Sequence, residues 1–230
     1  MVKILHLFPK LMNIYGDYAN VKVLKKHLED QGLKVNIEEK DIDESIYFEK
    51  YDFIYMGSGT ESSLKIALKE ILKYKDDFIK CINDNKVILF SGNAMELLGK
   101  SIDDTNALGV FDFSVRHTEK RYTGDVIVKN DDIGFAVGFI NKSTIIEGEE
   151  TNKLFDYVYT DANLNEGNFE GYHINNTYAT HLVGPVLVKN PNFMKKIVCL
   201  LLPKNNKYKN IKYNYEIDSY IVTLEALKDR

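Results

Sequence analysis

Over the first hundred residues, short apolar runs alternate with stretches whose apolar residues recur at helical spacing, and no other feature restricts the possible folds as strongly. Residues 2–8, 52–56 and 87–90 read as strands, the last of the kind buried on both faces, while 34–39 alternates as an outer strand. Between them, Val21, Leu24 and Leu28 place a stripe on a helix that ends near Gly32. Leu64, Ala67, Leu68, Ile71, Leu72, Phe78, Ile79 and Ile82 carry helical periodicity up to the strand at 87–90. Strands alternating with helices predict an α/β fold, a mostly parallel sheet flanked by helices, and in such sheets ligands bind at the C-terminal strand ends.

From about residue 108 to 188 the texture changes to short β-rich segments punctuated by turn residues such as Asn130-Asp131 and Gly148. Helices are expected near 192–201 and 216–227. There is no internal repeat and no Pro/Gly-rich linker, so the β-rich C-terminal half is expected to continue the same sheet with added hairpins, as one domain over residues 1–230.

Composition removes several classes of function. A formal net charge of -4, with both signs mixed along the chain, gives no general attraction to nucleic acid. No apolar run approaches the roughly 18 residues of a membrane span, and the N-terminal apolar stretch is too short for a signal peptide, so a cytoplasmic protein is expected. Cys81 and Cys199 sit in apolar helical patterns and read as small buried hydrophobes. Among His6, His27, His117, His173 and His181 none stands at metal-ligand spacing from another His or from Cys, so no metal and no other cofactor is expected.

The residues that suggest chemistry lie at the predicted strand ends. "KVILFSGNAMELLG", residues 86–99, runs from a buried strand through Ser91-Gly92-Asn93 into helix formers, the arrangement in which a sharp turn lifts a nucleophile above a sheet. Gly57-Ser58-Gly59 ends the neighbouring strand and reads either as a plain tight turn or as a loop whose N–H groups face an oxyanion. His181, in "TYATHLVGP", is either structural or a general base near a strand end. Arg116, His117, Lys120 and Arg121 form a small basic cluster, either a solvated face or a ligand contact.

These segments, in this order, resemble the class I glutamine amidotransferase domains of the cobyric acid synthase type, and in particular the amidotransferase subunits of lipid II isoglutaminyl synthases. The resemblance is carried by "LFPKLMNIYGD", "YDFIYMGSGT", "VILFSGNAMELLGK", "LGVFDF", "RYTGD", "VGFIN" and "THLVGPVLVKNP", and it covers most of the chain. It implies the flavodoxin-like fold of class I amidotransferases, a glutamine-like small-molecule ligand, and a Mur-ligase-like partner subunit.

The same resemblance exposes two losses. Family members hydrolyse glutamine with a cysteine at the elbow and a histidine before a Gly-Pro pair. Alignment on Leu98-Gly99 puts Gly92 at the cysteine and Glu96 at a family glutamine; alignment on Gly184-Pro185 puts Val183 at the histidine. The family's Glu-Asn-His segment becomes Ile140-Asn141-Lys142. Gly57 and Gly59 match the oxyanion loop, and Arg121 matches an arginine associated with glutamine binding. The expectation is a non-catalytic binding or regulatory subunit whose ligand contacts are Gly57, Gly59, Asn93, Glu96 and Arg121. The alternative is an active amidotransferase or other hydrolase with Ser91 as displaced nucleophile and His181 as base, on the argument that residues 181 and 183 share one side of a strand.

Overall fold

The computed structural model describes residues 1–148, 150–164 and 167–230. Its N-terminal half follows the predicted alternation. Strand β1 (Val2–Leu7) leads through helix α1 (Tyr18–Asp30) to β2 (Val35–Lys40), then β3 (Phe53–Met56), helices α2 (Glu61–Ile71) and α3 (Lys75–Asn83), and β4 (Val87–Ser91). Two short strands, β5 (Ser101–Ile102) and β6 (Thr105–Asn106), precede a long hairpin of β7 (Phe113–Asn130) and β8 (Gly134–Gly148). After it come β9 (Lys153–Thr160), β10 (Phe169–Ile174), β11 (Thr177–Thr180), and helices α4 (Val186–Lys189), α5 (Pro191–Leu201) and α6 (Asn214–Lys228).

All of these strands join one mixed sheet in the order β2-β1-β3-β4-β11-β10-β9-β7-β5-β6, with β8 paired to β7. From β2 to β11 neighbouring strands are parallel, and beyond β11 the pairing is mainly antiparallel. Because side chains alternate across a strand, each parallel strand feeds two cores. Ile54, Met56, Ile88 and Phe90 pack with Leu64, Leu68 and Phe78 on one face, while Phe53, Tyr55, Val87 and Leu89 pack with Leu24, Leu28, Phe193 and Ile197 on the other. Burial on both faces explains why β3 and β4 read as unbroken apolar runs.

Three local expectations change. The periodicity from Leu64 to Ile82 belongs to two helices, because the chain leaves helical dihedrals at Tyr74 (φ -117°, ψ 18°) and turns Phe78 onto Phe48 and Phe90. The helix formers after the elbow make a 3-10 helix, Gly92–Leu98, which must end at Gly99, where any side chain would meet Phe113. Cys81 is buried as expected, but Cys199 is exposed, since it lies off the buried stripe of Phe193, Met194, Ile197, Val198 and Leu201 on α5. Among the described residues no helix is long and apolar enough to cross a membrane.

Candidate functional site

Parallel strands β1, β3, β4 and β11 end on one side of the sheet, so the segments that follow them converge there. After β4 the chain turns through Gly92 at φ +61°, a left-handed conformation that glycine adopts without steric cost. This is the strained turn expected of an elbow. A side chain at 92 would overlap the Ser58 hydroxyl, and its first atom would lie 2.9 Å from Ser58 Cβ and 3.5 Å from Val183 Cγ1. Gly92, Ser58 and Val183 therefore meet at one point. The Ser58 hydroxyl is buried and has no hydrogen-bond partner among the described residues.

The glycine loop after β3 is held from both sides. Asp17 Oδ2 accepts from the backbone N–H of Ser58 at 3.0 Å and of Tyr15 at 3.4 Å. Asn93 clasps Gly59 in both directions: its Oδ1 accepts from Gly59 N–H at 2.9 Å, and its Nδ2 donates to Gly59 O at 2.8 Å. The N–H groups of Ser58 and Gly59 are thus already engaged by side chains. Burial pushes the Asp17 carboxyl up to about 6, against the opposing pull of its Ser58 and Tyr15 hydrogen bonds.

Ser91 and His181 are not brought together. The Ser91 hydroxyl is fully buried beneath the elbow, 2.8 Å from Tyr55 Oη, which also accepts from Asn20 Nδ2 at 2.7 Å. Strand β11 ends at Thr180, so the alternation argument that placed His181 and Val183 on one side does not hold. Val183 lines the strand-end cavity, whereas His181 turns into a buried polar cluster with its Nε2 3.2 Å from Glu96 Oε1. Thr144 Oγ1 donates to the same Glu96 oxygen at 2.6 Å. Behind His181, Glu170 accepts from the His181 backbone N–H at 2.6 Å and from Thr180 Oγ1 at 2.8 Å. Burial raises the Glu170 carboxyl above its ordinary range.

Above these groups lies a cavity of about 380 Å³. Of the sequence candidates, Gly59, Asn93, Glu96 and Arg121 line it; Gly57 does not, because it is packed against the Asp17 side chain. Arg121 Nε donates to Asn141 Oδ1 at 2.6 Å, and Asn141 Nδ2 donates to Tyr15 Oη at 2.8 Å. Ser143 Oγ donates to Glu61 Oε1 at 2.7 Å on the opposite wall. From the basic cluster, His117 and Arg121 reach the cavity, while Arg116 pairs with Glu147 outside it. Sequence reasoning missed Tyr15, Glu61 and Ser143, polar residues in no recognisable spacing.

The family model of the CobB/CobQ-like glutamine amidotransferase domain matches residues 3–191. The GatD subunit of lipid II isoglutaminyl synthase (glutamine-hydrolyzing) from Staphylococcus aureus strain N315 is 29% identical over 222 residues, 94% of this chain and 89% of that protein. Its namesake from Streptococcus pneumoniae is 26% identical over 211 residues, 88% of this chain and 81% of that protein. The structure of PurLQS from Thermotoga maritima shares the fold with a TM-score of 0.58 at 12% identity, covering 86% of this chain and 97% of that one. A crystal structure of a glutamine amidotransferase gives 0.57 at 14% identity, covering 86% and 98%.

Proposed function

The chain belongs to the CobB/CobQ-like glutamine amidotransferase family, and from that premise we propose that it is a GatD-like subunit that binds a small glutamine-like ligand in the strand-end cavity without hydrolysing glutamine. Hydrolysis of the family type needs a nucleophile to form a thioester, a base to activate it, and free N–H groups to hold the oxyanion. One observation carries the reading: a side chain at Gly92, which the resemblance aligns with the nucleophile, would run into the Ser58 hydroxyl. Val183 supplies no proton transfer on the other side, and Asn93 occupies the Gly59 N–H. Loss of the nucleophile in well-studied hydrolases costs on the order of 10⁶ in rate.

The relatives' names describe a subunit of a larger synthase, which supports a partner protein for this chain as well. The resemblance makes that partner Mur-ligase-like. In such an assembly a non-hydrolysing subunit serves as a ligand-responsive or structural element.

The test is release of ammonia and glutamate from glutamine by the purified protein, alone and with its co-purified partner, beside Ser91→Ala and His181→Ala variants. No release above background is expected, nor any covalent adduct with an electrophilic glutamine analogue in intact-mass spectra. Release that disappears in Ser91→Ala would overturn the proposal.

A further inference from the structure

Strand β7 is irregular where it passes the cavity. His117 is paired with Thr144 and Tyr122 with Lys142, so residues 118–121 stand opposite Ser143 alone. Extra residues in one strand bend it and re-aim its side chains, and such bulges recur beside functional sites. Here the bulge is tied by Thr118 Oγ1, within hydrogen-bond reach of Lys120 O at 2.9 Å and Ser143 O at 3.3 Å. His117 precedes this bulge and Arg121 is its last residue, and both line the cavity.

Each of these two side chains is gripped at its base. The Asp103 carboxylate takes the His117 backbone N–H on Oδ1 at 2.9 Å and meets ring Nδ1 with Oδ2 at 2.8 Å. That double contact holds the Asp103 carboxyl below its usual range, the backbone N–H being the first cause. With Nδ1 turned to the carboxylate, Nε2 is the nitrogen left for a ligand. Arg121 is gripped at Nε by Asn141, which leaves both terminal nitrogens of its planar fork. Among the described residues neither His117 Nε2 nor the Arg121 terminal nitrogens meet a protein acceptor. Glu61, a carboxylate that lines the same cavity, accepts from Ser143.

We propose that His117 and Arg121 form a two-pronged oxyanion site at the cavity mouth, with Asp103 and Asn141 as positioning residues, and that it receives a carboxylate or phosphate group of the ligand. The proposal rests on the reading of the cavity as a ligand pocket and adds a second nitrogen donor to the arginine that the family resemblance supplies. Guanidinium and imidazole N–H groups are planar donors that suit oxyanions, and hydrogen bonds to charged groups are the stronger class. The charged groups that line the two cavities bordered by His117 are Asp103 and Asp104 on the β5–β6 turn, Glu61, Lys65 and Lys69 on α2, Glu96 on the 3-10 helix, Arg121 on its own strand and Lys142 on β8.

The experiment titrates sulfate into the isotopically labelled protein and follows amide resonances of the bulge. Inorganic phosphate and L-glutamate are titrated in parallel. His117→Leu and Arg121→Ala are each expected to weaken sulfate binding about tenfold. Tighter phosphate would identify a phosphorylated ligand, and tighter glutamate an amino-acid carboxylate; either supports the site. Unchanged affinity in His117→Leu, with binding still weakened in Arg121→Ala, would overturn the second prong and leave the pocket standing. Failure of all three anions and of glutamine to bind the folded wild-type protein would remove the pocket itself.

Discussion

The hydroxyl of Ser58 fills the space into which a side chain at Gly92 would project. Two residues thirty-four positions apart are thereby coupled: one gives up a side chain and the other occupies the volume. Restoring a cysteine at the elbow is therefore not a single-residue change.

Gly92→Cys is expected to destabilise the protein by about 2–4 kcal/mol, through overpacking against Ser58 and the left-handed backbone that a non-glycine residue must adopt. Ser58→Gly should recover much of that loss in the double variant. A double-mutant cycle in urea measures the coupling; strictly additive effects would show that the two residues do not share this volume. Neither variant is expected to release ammonia, since Val183 still stands at the position of the base.

Asn93→Ala is expected to cost about 1–2 kcal/mol, because the N–H and C=O of Gly59 both lose a partner in a half-buried loop. The loss should be local. Amide hydrogen exchange at Gly59 should accelerate while exchange in β3 and β4 stays as in wild type; unchanged exchange at Gly59 would show that Asn93 does not hold the loop.

Two buried groups make opposite contributions in acid. Burial pushes His6 from its ordinary 6.5 down to about 4, so the stability tied to its neutral form is complete above 6.5 and is lost as pH falls toward 4. Asp17 is raised from 3.8 to about 6, so its contribution is complete below 3.8 and is lost as pH rises through 6. Each amounts to about 3 kcal/mol, and between pH 4 and 6 they largely cancel. Measured against its own value at pH 7, Asp17→Asn should lose about 3 kcal/mol by pH 4, whereas His6→Gln should gain a similar amount. Parallel profiles for the two variants in denaturant titrations would refute the assignment.

Glu170→Leu is expected to destabilise by about 3–5 kcal/mol, because it removes the carboxylate beside His181 and strands two donors in the interior. Glu170→Gln keeps an acceptor in place and should cost about 1 kcal/mol. Urea midpoints compare the two. Equal losses would mean that the carboxylate's size, not its hydrogen bonding, is what the site requires.

The parallel half was legible because its signals are local. Residues 53–56 and 87–91 are apolar in succession since both faces of those strands are covered, and the glycines that follow them mark the turns. Gly92 and Val183 were reached only through the family resemblance, by alignment on Leu98-Gly99 and Gly184-Pro185. Ser91 was misleading: its place beside the elbow suggested a displaced nucleophile, yet one residue of difference on β4 sends it to Tyr55 beneath the sheet end. The pairing of Asp103 with His117 left no signal, because it joins a hairpin turn to a strand fourteen residues on.

By itself the amino-acid sequence determined the alternation of elements, the family order of segments and the absence of a cysteine at the elbow, since each depends on residues close together in the chain. Only the tertiary structure decided what fills the vacated site and which polar groups share the cavity. Strand β11, late in the chain, enters the sheet beside β4 and carries residues 181–185 to the elbow. The β7–β8 hairpin turns His117 and Arg121 toward the first turn of α2. Contacts of that kind depend on sheet order and strand register, which arise from burying both faces of one sheet at once and so are not written in any local stretch.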